Sequence, residues 1–201
     1  MRSWAQHGED LTIARLLGDD FNRGDLWYVN GGANCPHVDS LTKAFYDRGA
    51  CGLNVEAVGF WWRKLVDQRP RDINIHCAIG EFPEKSRPIH VIAGTGLSTL
   101  VEGFDPGPYE DYYEDVEIRT LGELCATHHC PPDRWPAFMA LDLEGWEGHA
   151  LRGADLERHR FRVLCIESDK GYDWEPLLIE HDYRFVESDA ANRYYLDGRA
   201  E

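Results

Sequence analysis

No apolar run in this chain approaches the roughly 20 residues that cross a bilayer, which argues against a membrane-spanning helix. Basic residues are few. The 21 Lys and Arg stand against 36 Asp and Glu, a formal charge of −15. A surface of that sign repels phosphate backbones and anionic lipid, so neither nucleic acid nor a membrane is expected as a partner. The opening MRSWAQHGED carries acids early and has no apolar h-region; it does not read as a secretory signal, and a cytoplasmic location is expected. The cysteines (35, 51, 77, 125, 130, 165) lack the spacing of a disulfide framework and are expected to stay reduced. Internal repeats and low-complexity segments are also absent, and the length suits one domain over 1–201.

Hydrophobic periodicity gives an alternating pattern. Residues 9–17 read as a helix stopped by Gly18, 26–30 as a buried strand, and 39–48 as a helix capped by Asp39 or Ser40. A strand at 51–57, a helix at 60–68 and a strand at 72–80 follow. Strand, helix, strand, helix, strand in that order predicts a parallel sheet with crossover helices. Further strands are expected at 87–92, 116–121, 137–143 and 162–168, with loops at 94–99, 105–115 and 128–136. Helices are expected at 121–128, 144–153 and 174–182, before a closing strand pair.

The first candidate site is the turn in YVNGGAN (28–34), where a strand breaks into small residues. Such a bend is either an ordinary Gly-rich turn or a loop that lets a ligand reach the backbone. The second strand ends at Glu56, where a doubly wound sheet would set an acid beside that loop, able to hold ribose hydroxyls. No G-x-G-x-x-G is present, and His37-Val38-Asp39 fall where the third glycine would be needed. A nucleoside ligand without a pyrophosphate, such as S-adenosylmethionine, fits that departure better.

These segments resemble the FkbM-type methyltransferases, which use S-adenosylmethionine. AQHGED (5–10) looks like the family's Ser-Gln-x-Gly-Glu-Asp segment. Residues 28–57 look like its Tyr-Val-Asp-x-Gly-Ala-Asn loop, a helix ending in Tyr-x-x-Gly, and a strand closing in Asn-Val-Glu-Pro. GTGLSTL (94–100) resembles its Ser-Thr loop, and LDLEGWEGHALRGAD (141–155) its Asp-Val-Glu-Gly-x-Glu segment with a Leu-x-Gly-Ala-Asp tail. RPRDINIHCAIGE (69–81), VLCIES (163–168) and NRYYL (192–196) match its other strands.

The resemblance implies an α/β, Rossmann-like class I methyltransferase fold: a seven-stranded, mostly parallel sheet with an antiparallel last strand. The 1–20 segment would pack over the cofactor site. Asn30, Gly31, Gly32, Ala33 and Asn34 become candidate cofactor contacts, with Gly32 and Asn34 along the methionine part. Glu56 would hold the ribose, Ala57 and Cys77-Ala78-Ile79 would border the adenine, and Gln6 would close the amino-acid end. Ser98 is a further candidate contact, and Asp142 would face the sulfonium and the acceptor. Asn30 stands where the family usually has Asp, and Ala57 where it has Pro. Loss of that charge is expected to weaken cofactor binding by about tenfold.

The implied activity is O-methyl transfer to a hydroxyl of a sugar, glycan or related small molecule; the alternative is a weakly active, nucleoside-binding relative with a partner-binding role. Asp142 is the first candidate for the base or orienting group, with Glu144 and His149 behind it. Asp142 and Glu144, two apart, would point the same way on a strand, while Glu147 reads as an N-terminal helix acid. Asp142, Glu167 and Asp169 could hold Mg²⁺ through oxygen. Cys125, His128, His129 and Cys130 are zinc-ligand types, but a helix end and surface loop explain them too. FWW (60–62) is either a stacking platform or core packing, and Tyr109, Tyr112 and Tyr113 either line the acceptor pocket or sit in a solvated loop. The acceptor pocket is expected between the N-terminal segment, the 94–115 loops and the 169–174 loop; a homo-oligomer is compatible with all of this.

Overall fold

The computed structural model describes residues 2–200. Its elements run α1 (Glu9–Leu17), a 3-10 turn (Gly18–Asn22), β1 (Leu26–Gly31), α2 (Lys43–Tyr46), β2 (Cys51–Glu56), α3 (Gly59–Gln68), β3 (Ile73–His76) and β4 (Ala78–Ile79). There follow β5 (Glu84–Ile92), β6 (Asp111–Arg119), α4 (Leu121–Thr127), β7 (Trp135–Leu141) and α5 (Glu147–Arg152). The chain closes with β8 (Val163–Glu167), α6 (Glu175–Glu180), β9 (Tyr183–Ser188) and β10 (Asn192–Asp197).

Seven strands form a sheet in the order β3-β2-β1-β7-β8-β10-β9. The first five pair in parallel, and β10 runs antiparallel between β8 and β9. The order reverses at β1, whose two neighbours are β2 and β7. Both faces are covered. Phe138 and Ala140 of β7 pack with Tyr28, Phe45 and Ile13, while Met139 and Leu141 pack with Leu53, Leu124 and Leu151. A parallel sheet buried on both faces has to read as near-continuous apolar strands, as AFMAL does.

A second sheet of three strands, β4-β6-β5, stands beside the first. It overturns two expectations. The segment 72–80 is two strands rather than one: β3 stays in the large sheet and β4 joins β6, with Cys77 buried at the break. The acidic stretch 111–115, expected as loop, is the first part of β6 in the antiparallel β5–β6 pair. Its side chains are mostly exposed, so alternation there lacks an apolar partner face to reveal it.

Two helices are shorter than their periodicity predicts. Asp39 takes a left-handed φ of 52°, Ser40 donates its N–H to Trp4 and its hydroxyl accepts from Arg69, so neither caps α2. Glu144 (φ 54°) and Gly145 (φ 93°) form a left-handed turn that delays α5 to Glu147. β7 therefore ends at Leu141, and the strand-like alignment expected of Asp142 and Glu144 does not form.

Candidate functional site

Because β1, β2, β7 and β8 are parallel, their carboxyl ends share one edge of the sheet. A two-lobed cleft opens there. One lobe has several apolar side chains in its wall and spans about 620 Å³, open solvent included. Val55, Val58, Trp61, Ile79, Ile89 and Leu100 line it, with Ala57, Cys77, Ala78 and Ser98 alongside. The other lobe is larger, about 1270 Å³ including solvent, and acidic. Gln6, Glu9, Asn30, Ala33, Asp142, Glu144, Glu167 and Asp169 line it, with Lys170 as a basic exception. Gly32, Asn34, Thr95, Gly96 and Asp142 belong to both lobes, so the two form one continuous cleft.

The glycine turn is built for its neighbours. A Cβ on Gly31 would fall 2.7 Å from Ile79 and 2.8 Å from Leu141, and one on Gly32 (φ 74°) would lie 1.8 Å from the Asp142 carbonyl. Only glycine lets the β1 and β7 tips meet this closely. The turn's amides are also committed. Gly32 and Ala33 donate to the Val55 carbonyl, and Asn34 donates to Glu56 at 2.7 Å. A phosphate would find no free N–H cradle at those positions. Asn34 itself sits at φ 49° with its side-chain Oδ1 buried and unpartnered at the junction of the lobes.

Glu56 closes β2. Its Oε2 accepts from the Asn34 N–H and its Oε1 from the Val58 N–H at 2.7 Å, which fixes the carboxylate at the first lobe with lone pairs to spare. Burial pushes its pKa up to about 7, against the two backbone N–H groups, which favour the charge. Hydroxyls of a ligand would supply the missing donors.

The acids of the second lobe lie close together. One oxygen from each of Asp142, Glu144 and Glu167 falls within 4.8 Å of the others. Asp142 is open to the cleft yet ringed by protein; burial and the charges of Glu144 and Glu147 raise its pKa to about 7. Burial, then Asp142 and Glu144, push Glu167 up to about 10, and its Oε2 has no hydrogen-bond partner. Glu147 turns away from the opening: its Oε1 accepts from the Leu143 N–H at 2.7 Å and the Gly145 N–H at 3.3 Å, pinning the left-handed turn. That is a helix-terminal role, as its position suggested.

Not every candidate reaches the cleft. His149 lies on the other side of the 144–148 turn, stacked on Trp146 at 3.8 Å, with burial and Arg152 lowering its pKa. Asp169 lines the acidic lobe but is not in the close trio; Glu144 takes that place, because the turn swings it back over the strand tips. Gly31 is packed behind the turn and lines neither lobe. Cys125 is buried in the core, and among the described residues the Cys/His set does not converge. Of FWW, Trp61 lines the first lobe while Trp62 stacks on His76 and Phe60 faces solvent. Tyr109 borders the acidic lobe; Tyr113 instead stacks on His90 at 4.7 Å.

Several lining residues carry no local signal. Lys170 donates to Glu144 at 2.6 Å from a loop 26 positions later, and Ile89 arrives on β5 of the second sheet. Only knowledge of that sheet would have found Ile89. The N-terminal segment is held by Trp4 and Ser40, and by Ser3 donating to Asp10 at 2.7 Å; this carries Gln6, His7 and Glu9 to the acidic lobe.

No protein of curated function matches the chain. Among solved structures, the crystal structure of methyltransferase FkbM from Methylobacillus flagellatus KT is similar, with a TM-score of 0.51 and 16% identity. The match covers 85% of this chain and 43% of that one, so the chain spans less than half the length of that relative. A likeness at that identity speaks for the fold. The model of the methyltransferase FkbM domain matches residues 30–185, the stretch from the tip of β1 through the cleft to β9, and the chain belongs to this methyltransferase family.

Proposed function

We propose that the chain is an S-adenosylmethionine-dependent O-methyltransferase acting on a hydroxyl of a sugar, glycan or related small molecule, with the Rossmann-like class I architecture. The observation that carries the cofactor is Glu56, held by two backbone N–H groups with its carboxylate turned to the lobe that Val55, Val58, Trp61 and Ile79 line. Asn34 adds an orphaned acceptor, and the turn offers no phosphate cradle at its committed amides. When bound, S-adenosylmethionine supplies a methyl group activated by a sulfonium.

The chain's own residues divide the remaining work. Glu56 takes the ribose hydroxyls, and Val58, Trp61 and Ile79 enclose the base. Asn30, Asn34 and Gln6 face the amino-acid end. Acids of the second lobe favour the positive ammonium and sulfonium electrostatically. Asp142, at the junction of the lobes, orients the acceptor hydroxyl and takes its proton. Positioning that oxygen for attack on the methyl group would supply roughly 7–11 kcal/mol of the barrier.

One feature favours a second reading. Asn30 and Ala57 replace the acid and the proline of the family pattern, and a chain so altered could bind the nucleoside and transfer poorly. Incubation with methyl-labelled S-adenosylmethionine and a panel of carbohydrate and small-molecule acceptors, read by mass spectrometry, separates the two. Labelled product is expected; tight cofactor binding without product across the panel would favour the second reading.

A further inference from the structure

Glu144 and Glu167 are buried carboxylates, each with a side chain 9% exposed, and they close on Asp142. Acids this close are costly to ionise together in a low dielectric unless a cation joins them. One does. The Lys170 ammonium lies 2.6 Å from Glu144 Oε2, 3.3 Å from Asp169 and 3.8 Å from Glu167 Oε1. Its stem runs along the backbone of the left-handed turn, since a Cβ on Gly145 would lie 3.6 Å from both Lys170 Cβ and Cδ. The turn therefore positions the lysine as well as the acid it pairs with.

We propose that Lys170 is the resident cation of the cleft, paired with two of the three carboxylates that would otherwise take a divalent metal ion, and that it is a positioning residue holding Glu144 and Glu167 back from the acceptor. An ammonium carries three donors and a single charge, and it meets the carboxylates at 2.6–3.8 Å. A hard divalent ion would draw the same oxygens to about 2.0–2.6 Å. The two cannot share the position, because a metal there would face the ammonium at close range. Burial opposes the charge on Lys170, but the Glu144 bond and the charges of Glu167 and Asp169 outweigh it and hold its pKa above the usual range. Glu167 Oε2 is buried and takes no hydrogen bond from the ammonium. Asp142, outside the lysine's hydrogen bonds, stays turned to the acceptor side of the cleft.

The inference rests on the cleft's role in methyl transfer, but its test does not need the cofactor. Mn²⁺ would be titrated by calorimetry and by electron paramagnetic resonance into the wild type, Lys170→Ala and Lys170→Met, the last keeping the stem on Gly145. The wild type is expected to bind Mn²⁺ no better than ~1 mM, and the lysine variants at least about tenfold tighter. Lys170→Ala/Glu167→Gln should lose that gain, and Lys170→Arg should behave as wild type. Wild-type binding as tight as the variants, or a folded variant with no gain, would overturn the proposal. Repeating the titration with S-adenosylhomocysteine separates the two ideas: a metal gain without nucleoside binding faults the cofactor reading alone. With an acceptor in hand, added methylamine should restore part of the transfer lost in Lys170→Ala, which a purely structural lysine would not allow.

Discussion

Two carboxylates on opposite edges of the parallel sheet, one at the amino ends of its strands and one at the carboxyl ends, have opposite surroundings. Asp72, just before β3, accepts from the Tyr28 hydroxyl at 2.9 and 2.8 Å, from the Gly52 N–H at 2.9 Å and from the Asn54 amide at 2.9 Å. Asp142, just past β7, is perturbed by burial and by Glu144 and Glu147, with Lys170 as relief. An acid ringed by donors is complete within the protein and ties three strands together. An acid ringed by acids is destabilising in the free chain and has to be offset by what binds. Location on the sheet decides which is which: the carboxyl ends carry the cleft, and the amino ends carry the brace.

The contrast can be broken most strongly at Asp142. Asp142→Asn should lower methyl transfer by ~10²–10⁴-fold, more than it lowers cofactor affinity, and should raise the unfolding midpoint of the free protein rather than lower it. Single-turnover kinetics with a working acceptor would check it, and full activity would remove Asp142 from the chemistry. Asp72→Ala should do the reverse. It strands the Tyr28 hydroxyl and the Asn54 amide, costs ~3 kcal/mol of stability in urea unfolding, and leaves the affinity of the folded fraction unchanged. Equal stability would show that the network contributes little.

Glu56 lies between these extremes, since it is braced by two N–H groups and still open to the cleft. Glu56→Ala should weaken S-adenosylmethionine binding by about 10- to 100-fold, measured by equilibrium dialysis, with a smaller effect on unfolding than Asp72→Ala. Unchanged affinity would contradict the ribose assignment.

The smallest effect is on pH. Glu56 and Asp142 have folded pKa values raised to about 7, and Glu167 to about 10. Unfolded carboxyls release their protons near ~4, so above that pH the folded chain holds protons that the unfolded chain has lost. Stability from these groups is fully present below ~4 and falls as pH rises through about 7, with the Glu167 share lasting to about 10. The midpoint of the ligand-free protein should therefore drop between pH 5 and 8 (a range of about three units), less steeply in Glu167→Gln. A midpoint that rose over this range would contradict the raised values.

Much of this was legible without coordinates, for physical reasons. Strands buried on both faces, such as AFMAL and VLCIE, announce themselves as apolar runs, and the β1–α–β2 spacing puts Glu56 beside the glycine turn. What hid was set by partners far along the chain. The β5–β6 pair has one exposed face and an acidic half, so its alternation carries little apolar signal. The turn at Glu144 and Gly145 breaks a helical pattern through backbone angles that composition does not reveal, and with it go the approach of Glu144 to Asp142 and Glu167 and the placing of His149 on the far side of the turn. Gly31 and Gly32 read as openings for a ligand; Ile79, Leu141 and the Asp142 carbonyl take the space their side chains would need, and Gly32 still lines both lobes of the cleft.

The most direct test is a crystal structure with S-adenosylhomocysteine. The expected result is the adenine between Val58, Trp61 and Ile79, both ribose hydroxyls on the Glu56 carboxylate, and the amino-acid end beside Asn30 and Asn34. Density for the nucleoside anywhere else, or a Glu56 carboxylate turned away from it, would contradict that assignment.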